Sequence, residues 1–264
     1  MPVLSRIAIF PIKSLDALEC EEVSLLPTGP LTGDRRYALF DEKGRYVNGK
    51  RQAAVHRLRV EYSRDLKSVR IRVVGHSECR EFDLERDAAL LENWLSDYFG
   101  FRVFLRRDDK LGFPDDVEAP GPTVITQASL LSVAEHFGWD LPQSRGRFRA
   151  NLEIADAEPF WEDNLYAGEQ EVVRFRIGEV MLEGTNPCKR CVVPTRDVWT
   201  GEVTPHFVER FIEWRRAHFP VWAEPSRFRD TMYRFMVNTR PVPGQTGKTL
   251  RLGDSVTILE KRPR

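Results

Sequence analysis

The chain has 264 residues, enough for one large domain or two small ones whose cores need no disulfide or metal staple. Its 40 basic and 40 acidic residues cancel, so no overall field gathers nucleic acid or coats an anionic membrane, and any anion binding must be local. Four cysteines are too few for a secreted disulfide framework, no apolar run approaches the ~20 residues of a membrane span, and Arg6 and Lys13 break the short apolar stretch at the N-terminus; we expect a cytoplasmic protein with neither signal peptide nor anchor.

In chain order, residues 4–10 predict a first strand and residues 36–40 a second, with Glu42-Lys43-Gly44 as a turn after it. Arg57-Leu58-Arg59-Val60-Glu61-Tyr62 and Ser68-Val69-Arg70-Ile71-Arg72-Val73 alternate charged with apolar residues, the period of a sheet with one solvated face. Arg64-Asp65-Leu66-Lys67 supplies the turn, which predicts a hairpin. Leu91, Trp94, Leu95, Tyr98 and Phe99 recur at helical spacing, and Gly100 is placed to cap the C-terminus. That helix should cover the sheet with its aromatic stripe. A strand at 101–105 follows.

Between 111 and 122, Gly112, Pro114, Pro120, Gly121 and Pro122 crowd together with Asp115, Asp116 and Glu118, the composition of a linker. We place a domain change near residue 118, dividing the chain into 1–118 and 119–264. Beyond it, strands are expected at 123–125, 151–155, 172–177, 180–183, 233–238 and 255–259, with a helix at 128–137. Thr204-Pro205 reads as the N-cap and first-turn proline of another helix through Phe207, Val208, Phe211, Ile212 and Trp214. The fold class is mainly β with attached helices.

Chemistry concentrates in a few segments. In Asn186-Pro187-Cys188-Lys189-Arg190-Cys191-Val192-Val193-Pro194-Thr195, two cations sit inside a Cys-x-x-Cys, where they favour thiolate, the reactive and metal-binding form. One such pair is half of a four-cysteine zinc site, and Cys20 and Cys79 lie far off without a matching spacing, so a structural zinc lacks half its ligands. A dithiol using both cysteines and another metal role both stay open. Phe10-Pro11-Ile12-Lys13-Ser14-Leu15 ends a strand with a proline and then offers a cation and a hydroxyl, which suits either a phosphate or a plain solvated loop. In Gly29-Pro30-Leu31-Thr32-Gly33-Asp34-Arg35-Arg36 the glycines permit close approach, and the arginines either clamp an anion or pair with Asp34. Gly146-Arg147-Phe148-Arg149-Ala150-Asn151-Leu152 puts arginines, which suit phosphate, and an asparagine, which suits the edge of a heterocycle, before a buried strand; surface charge at a strand start is the other reading.

Other motifs fail. Gly244-Gln245-Thr246-Gly247-Lys248-Thr249 has Val242 where a phosphate loop needs glycine, so nucleotide hydrolysis is rejected. The five histidines show no metal-ligand spacing, and no Gly-x-Ser-x-Gly elbow exists for a serine nucleophile.

Taken together and in this order, Phe-Pro-Ile-Lys-Ser-Leu at 10–15, Gly-Pro…Gly-Asp-Arg-Arg at 29–36, Phe-Arg-Ala-Asn-Leu at 148–152 with Pro159-Phe160-Trp161-Glu162-Asp163, and Cys-Lys-Arg-Cys-Val-Val-Pro-Thr at 188–195 with Thr200-Gly201 carry a resemblance. The chain resembles MOSC-domain proteins with an N-terminal MOSC β-barrel, the family of the mitochondrial amidoxime-reducing component and its bacterial relatives; Leu252-Gly253-Asp254 also fits. The resemblance implies two β-barrel-like domains with attached helices and a molybdenum cofactor, a molybdopterin carrying molybdenum, held between them. Cys191 then matches the molybdenum ligand and Cys188 a neighbour. Lys13, Ser14, Arg35, Arg149 and Asn151 match contacts to the pterin or its phosphate, and Thr126 and Ser129 match more loosely. The implied activity is reductive removal of oxygen from a small N-hydroxylated compound (a hydroxylamine, an amidoxime or an N-hydroxylated base). Because neither the cysteine-rich iron–sulfur domain nor the hydrophobic anchor of some relatives is present in this sequence, a separate ferredoxin, flavodoxin or cytochrome-type protein is expected to supply electrons. The alternative is a protein that binds, carries or delivers the cofactor or its sulfurated form without turnover. Asp197 reads either as a site-loop residue or as a carboxylate capping local amides.

Overall fold

A computed structural model describes residues 1–264. The elements in order are β1 (Val3–Ile9), β2 (Leu18–Cys20), β3 (Glu22–Ser24), β4 (Tyr37–Asp41), β5 (Leu58–Tyr62), β6 (Ser68–Val73), β7 (Cys79–Asp83), α1 (Ala88–Phe99), β8 (Val103–Arg107) and β9 (Val124–Thr126). They continue with α2 (Gln127–Phe137), α3 (Leu141–Phe148), β10 (Leu152–Ala155), β11 (Glu171–Ile177), β12 (Val180–Lys189), α4 (Phe207–Ala217), β13 (Arg234–Pro241), β14 (Thr249–Arg251) and β15 (Val256–Pro263). The fold is mainly β, as expected.

The largest sheet runs β15-β11-β12-β13-β9-β10-β1-β2. Its β1 strand comes from the beginning of the chain and pairs antiparallel with β10, Val3 opposite Ala155 and Ile7 opposite Leu152. Likewise β3 pairs with β14, so sheet pairing crosses residue 118 twice. Parallel neighbours need a crossover, and α2 with α3 provide it between β9 and β10. Separately, β5-β6-β7 and β4-β8 form small sheets. The expected hairpin is β5–β6, with Leu58 opposite Val73 and Tyr62 opposite Val69, and Gly100 caps α1 with φ 74°.

Three apolar cores support these sheets. Leu4, Ile7 and Ile9 of β1 pack with Val124, Leu152, Phe175 and Val237 of the large sheet. Leu39, Leu58, Val69 and Ile71 pack with Leu91 and Leu95 of α1 in a second core. Phe148, Phe207, Phe211, Trp214 and Phe235 form an aromatic third. Each fully buried side chain of this kind is worth about 1.5–3 kcal/mol, so the β1 contacts alone bind the start of the chain firmly to its second half.

Several elements differ from expectation for physical reasons. The α3 helix is not visible in the sequence, because Gln143-Ser144-Arg145-Gly146-Arg147 has no apolar period; Asp140 nucleates it by accepting a bond from Gln143 N–H at 2.8 Å. The β12 strand extends six residues beyond Glu183 to Lys189, with register shifts between Gly184 and Asn186 and between Pro187 and Lys189 that accommodate the glycine and proline. The α4 helix lacks the Thr204 cap. Thr204 N–H is instead held by Thr195 O at 2.7 Å, and the chain turns at His206 with φ 54° before the helix begins.

Beneath α4, Arg215 is 1% exposed and donates to the buried carboxylate of Asp163, with its guanidinium 4.3 Å from the Phe160 ring centroid. Burial raises the Asp163 pKa and the Arg215 charge opposes that rise. Removing one partner of such a pair strands the other. Arg215→Met should therefore cost about 3–5 kcal/mol in urea unfolding, and Arg215→Met with Asp163→Leu should recover most of it. A single-mutant loss below about 1 kcal/mol would mean that Asp163 is neutral and the pair is not ionic.

Candidate cofactor site

Four remote segments converge because backbone and side-chain hydrogen bonds stitch them together. Beyond β1, Arg35 N–H donates to Phe10 O at 2.9 Å, Tyr37 N–H to Pro11 O at 2.9 Å and Lys13 N–H to Tyr37 O at 2.8 Å. This sets Lys13 and Ser14 beside Arg35. The end of α3 joins them through Asn151, whose O accepts from Ala8 N–H at 2.8 Å and whose Nδ2 donates to Ala8 O at 3.0 Å. The cysteine loop is tied to α3 by Arg147 donating to Pro194 O (2.9 Å) and Arg190 donating to Phe148 O (3.0 Å). The result is a cavity of about 610 Å³ whose wall carries Lys13, Ser14, Arg35, Arg149, Cys188 and Cys191.

The wall is built from strained backbone. Ser14 (φ 74°), Arg35 (φ 48°), Arg149 (φ 57°) and Met236 (φ 66°) all adopt the left-handed conformation and all line the cavity. Each such residue costs of order 1–3 kcal/mol and persists only where its surroundings hold it. Here the conformation turns side chains into one space.

Positive charge collects there although the protein is neutral. Arg149 and Arg35 stack on the Phe10 ring with centroid distances of 4.2 and 5.6 Å. Burial first, and then the Arg35 charge, bring the Arg149 pKa down to about 10, which leaves it charged at neutral pH. Burial also lowers Lys13, against the pull of Asp115. The Asp34 carboxylate, fixed by Phe10 N–H at 2.8 Å, pairs with Arg35. Partial desolvation by the surrounding wall would by itself raise the carboxyl of Asp115, whose side chain is still 54% exposed, but Arg35 and Lys13 outweigh it and hold it well below the ordinary carboxylate range. His56, also in the wall, is pushed down to about 4 by burial, with Arg149, Arg196 and Arg59 adding to the effect, so it is neutral at pH 7.

The two cysteines differ. Cys188 Sγ accepts from Arg190 Nη1 at 3.2 Å, whereas Cys191 Sγ accepts only a backbone bond, from Val193 N–H at 3.4 Å. The Cys191 carbonyl is held by the Tyr233 hydroxyl at 3.1 Å. Both sulfurs are free thiols.

Three expected site residues lie elsewhere. Thr126 and Ser129 are fully buried, and both hydroxyls are occupied by Glu162 Oε2, at 2.8 and 3.0 Å. Ser129 Oγ also accepts from Phe160 N–H at 2.6 Å. Their role is to cap α2 and satisfy a buried carboxyl. Asn151 is 1% exposed, with Oδ1 taken by Thr123 N–H and Oγ1 and Nδ2 by Ala8 O, so it clamps strands together behind the wall. Asp197 accepts from the Trp199 and Thr200 N–H groups, both at 2.9 Å, and lies 3.6 Å from Arg147 Nη2. Conversely, Asn48, Lys50, His56, Asp115, Asn186 and Asn238 line the cavity without having been singled out. Isolated charges in loops gave no signal for Lys50; the acidic linker gave a faint one for Asp115.

Residues 1–100 match the MOSC N-terminal beta barrel domain and residues 122–257 the MOSC domain. The chain belongs to the MOSC family and carries both parts. Among curated proteins it is 26% identical over 238 residues to a molybdenum cofactor sulfurase of Drosophila grimshawi and 25% identical over 239 residues to that of Drosophila mojavensis. Each match covers 77% of this chain but only 29% of the relative, so the chain spans less than a third of these sulfurases. A solved structure described as a hypothetical protein overlays 98% of this chain and 68% of its own, with a TM-score of 0.41 and 9% identity, too weak a likeness to build on.

Behind the wall, burial and the neighbouring Asp163 raise the Glu162 pKa from its ordinary value to about 7, with Ser129 and Thr126 opposing. A folded pKa above the unfolded one contributes stability that is present at low pH and is lost as pH rises through the folded value. Wild-type melting temperature should therefore fall between about pH 4.5 and 7 from this group. Glu162→Gln should flatten that segment and melt higher than wild type at pH 8; parallel pH profiles would show that folding does not raise the Glu162 pKa.

Proposed function

We propose that this cavity binds the molybdenum cofactor and that the protein reduces N-hydroxylated compounds with it. The observation that carries the reading is the joining of a cation cluster and an available thiol in one cavity whose volume, about 610 Å³, lies within the ~300–1,000 Å³ usual for ligand sites. Lys13 and Arg35 would hold the terminal phosphate as point charge and planar fork, with Ser14 donating its hydroxyl. Arg149, stacked on Phe10 and bonded to Leu15 O at 2.6 Å, would face the pterin. Thiolate suits a soft metal centre, and Cys191 would be the ligand, the position that the family resemblance assigns, with Cys188 beside it and bonded to Arg190. Bound there, the cofactor would supply the two-electron chemistry that takes oxygen from a hydroxylamine, amidoxime or N-hydroxylated base and leaves the amine or amidine. A separate ferredoxin, flavodoxin or cytochrome-type protein would deliver the electrons, in the cytoplasm. No helix is long and apolar enough to cross a membrane.

The sulfurase relatives favour a second reading, in which the same residues bind or carry the cofactor or its sulfurated form without reductase turnover.

Protein from a cofactor-competent host should contain near-stoichiometric molybdenum by elemental analysis. Cys191→Ala should reduce it to background, and Cys188→Ala should retain most of it, once both variants are shown to be folded. Equal losses would overturn the ligand assignment, and zinc alone would overturn the cofactor. With molybdenum present, reduction of an amidoxime by an artificial electron donor should be measurable and should vanish in Cys191→Ala; loaded protein without turnover would establish the carrier reading instead.

A further inference from the structure

One carboxylate in the cavity wall collects three cations. Asp115 Oδ1 lies 2.8 Å from Lys13 Nζ and 3.6 Å from Lys50 Nζ, and its Oδ2 lies 3.7 Å from Arg35 Nε. Asp115 belongs to the acidic, proline-rich connection between β8 and β9. Residues 114–120 of this connection lie in no strand or helix and make no backbone–backbone hydrogen bond, yet every one of them lines the cavity. The segment is anchored only at its margins, by Phe113 N–H to Arg35 O at 2.9 Å and Gly121 N–H to Thr239 O at 3.0 Å. Between those anchors it is held by side chains: Asp115 on the three cations, Asp116 accepting from Asn238 Nδ2 at 3.3 Å, and a distant Glu118–Arg264 pair at 3.9 Å. Gly112, with φ 66°, precedes the strap where a Cβ would lie 2.8 Å from Arg35 O. The strap therefore starts and ends at fixed points, and between them only side-chain contacts hold it to the wall.

A carboxylate drawing three cations occupies the place that a phosphate group would fill. Phosphate offers more charge and a third acceptor oxygen to the same ring of donors. We propose that Asp115 is an internal latch on a phosphate subsite made by Lys13, Arg35 and Lys50, and that an arriving phosphate monoester displaces it and frees strap 114–120 from the cavity. This rests on the cofactor reading above, to which it adds Lys50 as a phosphate ligand and an opening step. The latch side chain is 54% exposed and Lys50 is 45% exposed, so both are reachable by a ligand approaching from solvent. A site whose competent form is only fractionally populated binds more weakly by that fraction.

The test is calorimetric titration of the full chain with inorganic phosphate at constant ionic strength, using wild type, Asp115→Asn and Lys50→Ala after thermal unfolding has shown each to be folded. Asp115→Asn should bind phosphate about tenfold more tightly than wild type, and Lys50→Ala should bind it more weakly. In parallel, cleavage after Glu118 by a glutamate-specific protease should accelerate when phosphate is added to wild type and should already be fast in Asp115→Asn. Equal or weaker phosphate binding by Asp115→Asn would overturn the latch and make Asp115 a fixed part of the wall. The probe contains no molybdenum or pterin. An Asp115-dependent phosphate response in protein that never takes up molybdenum would remove the cofactor reading and keep the latch; molybdenum uptake without that response would remove the latch alone.

Discussion

Holding several like charges together in a partly dry space is the constraint on which this structure turns. Lys13, Arg35, Lys50 and Arg149 face one cavity in a protein whose total charge is zero. Repulsion between neighbouring guanidinium and ammonium groups grows as water is excluded, and it costs several kcal/mol at effective dielectrics near ~20. Two carboxylates, Asp34 and Asp115, relieve part of it, and the Phe10 ring relieves more by offering its negative face to two arginines. What remains is a local surplus of positive charge that an anionic ligand would neutralise.

Such an arrangement needs a stiff frame. The left-handed residues Ser14, Arg35 and Arg149 would relax if the strands beneath them moved. They are held because β1, drawn from the start of the chain, is paired on both sides within the large sheet, between β10 and β2, and shares its core with β9, β10 and β13. Asn151, Thr126 and Ser129 belong to this frame. Their polar atoms are spent on Ala8, Thr123 and Glu162, which aligns the strand ends and the start of α2 without touching the cavity.

The two cysteines show how small differences in surroundings separate identical side chains. Both line the cavity and lie three residues apart, but Arg190 engages the sulfur of Cys188 and leaves that of Cys191 with a single backbone donor. Family membership and the likeness to molybdenum cofactor sulfurases agree with a role connected to the molybdenum cofactor.

The sequence by itself determined the local elements whose residues alternate between solvent and core, because periodicity records which side of an element is wet. The β5–β6 hairpin, the α1 helix with its glycine cap and the mainly β character were legible for that reason. So were the ordered motifs around Lys13, Arg35, Arg149 and Cys191, which the fold brings to one cavity. Tertiary structure alone decided partnership. A short arginine-rich helix such as α3 has no apolar period to betray it, and its value lies in the contacts that Arg147 and Arg149 make with distant loops. Thr126 and Ser129 looked like site hydroxyls until Glu162, some thirty residues on, was placed against them. Lys50 and Asp115 are ordinary loop charges in one dimension; they acquire meaning only when folding sets them within reach of Lys13 and Arg35, because electrostatic interaction depends on distance in space and not along the chain.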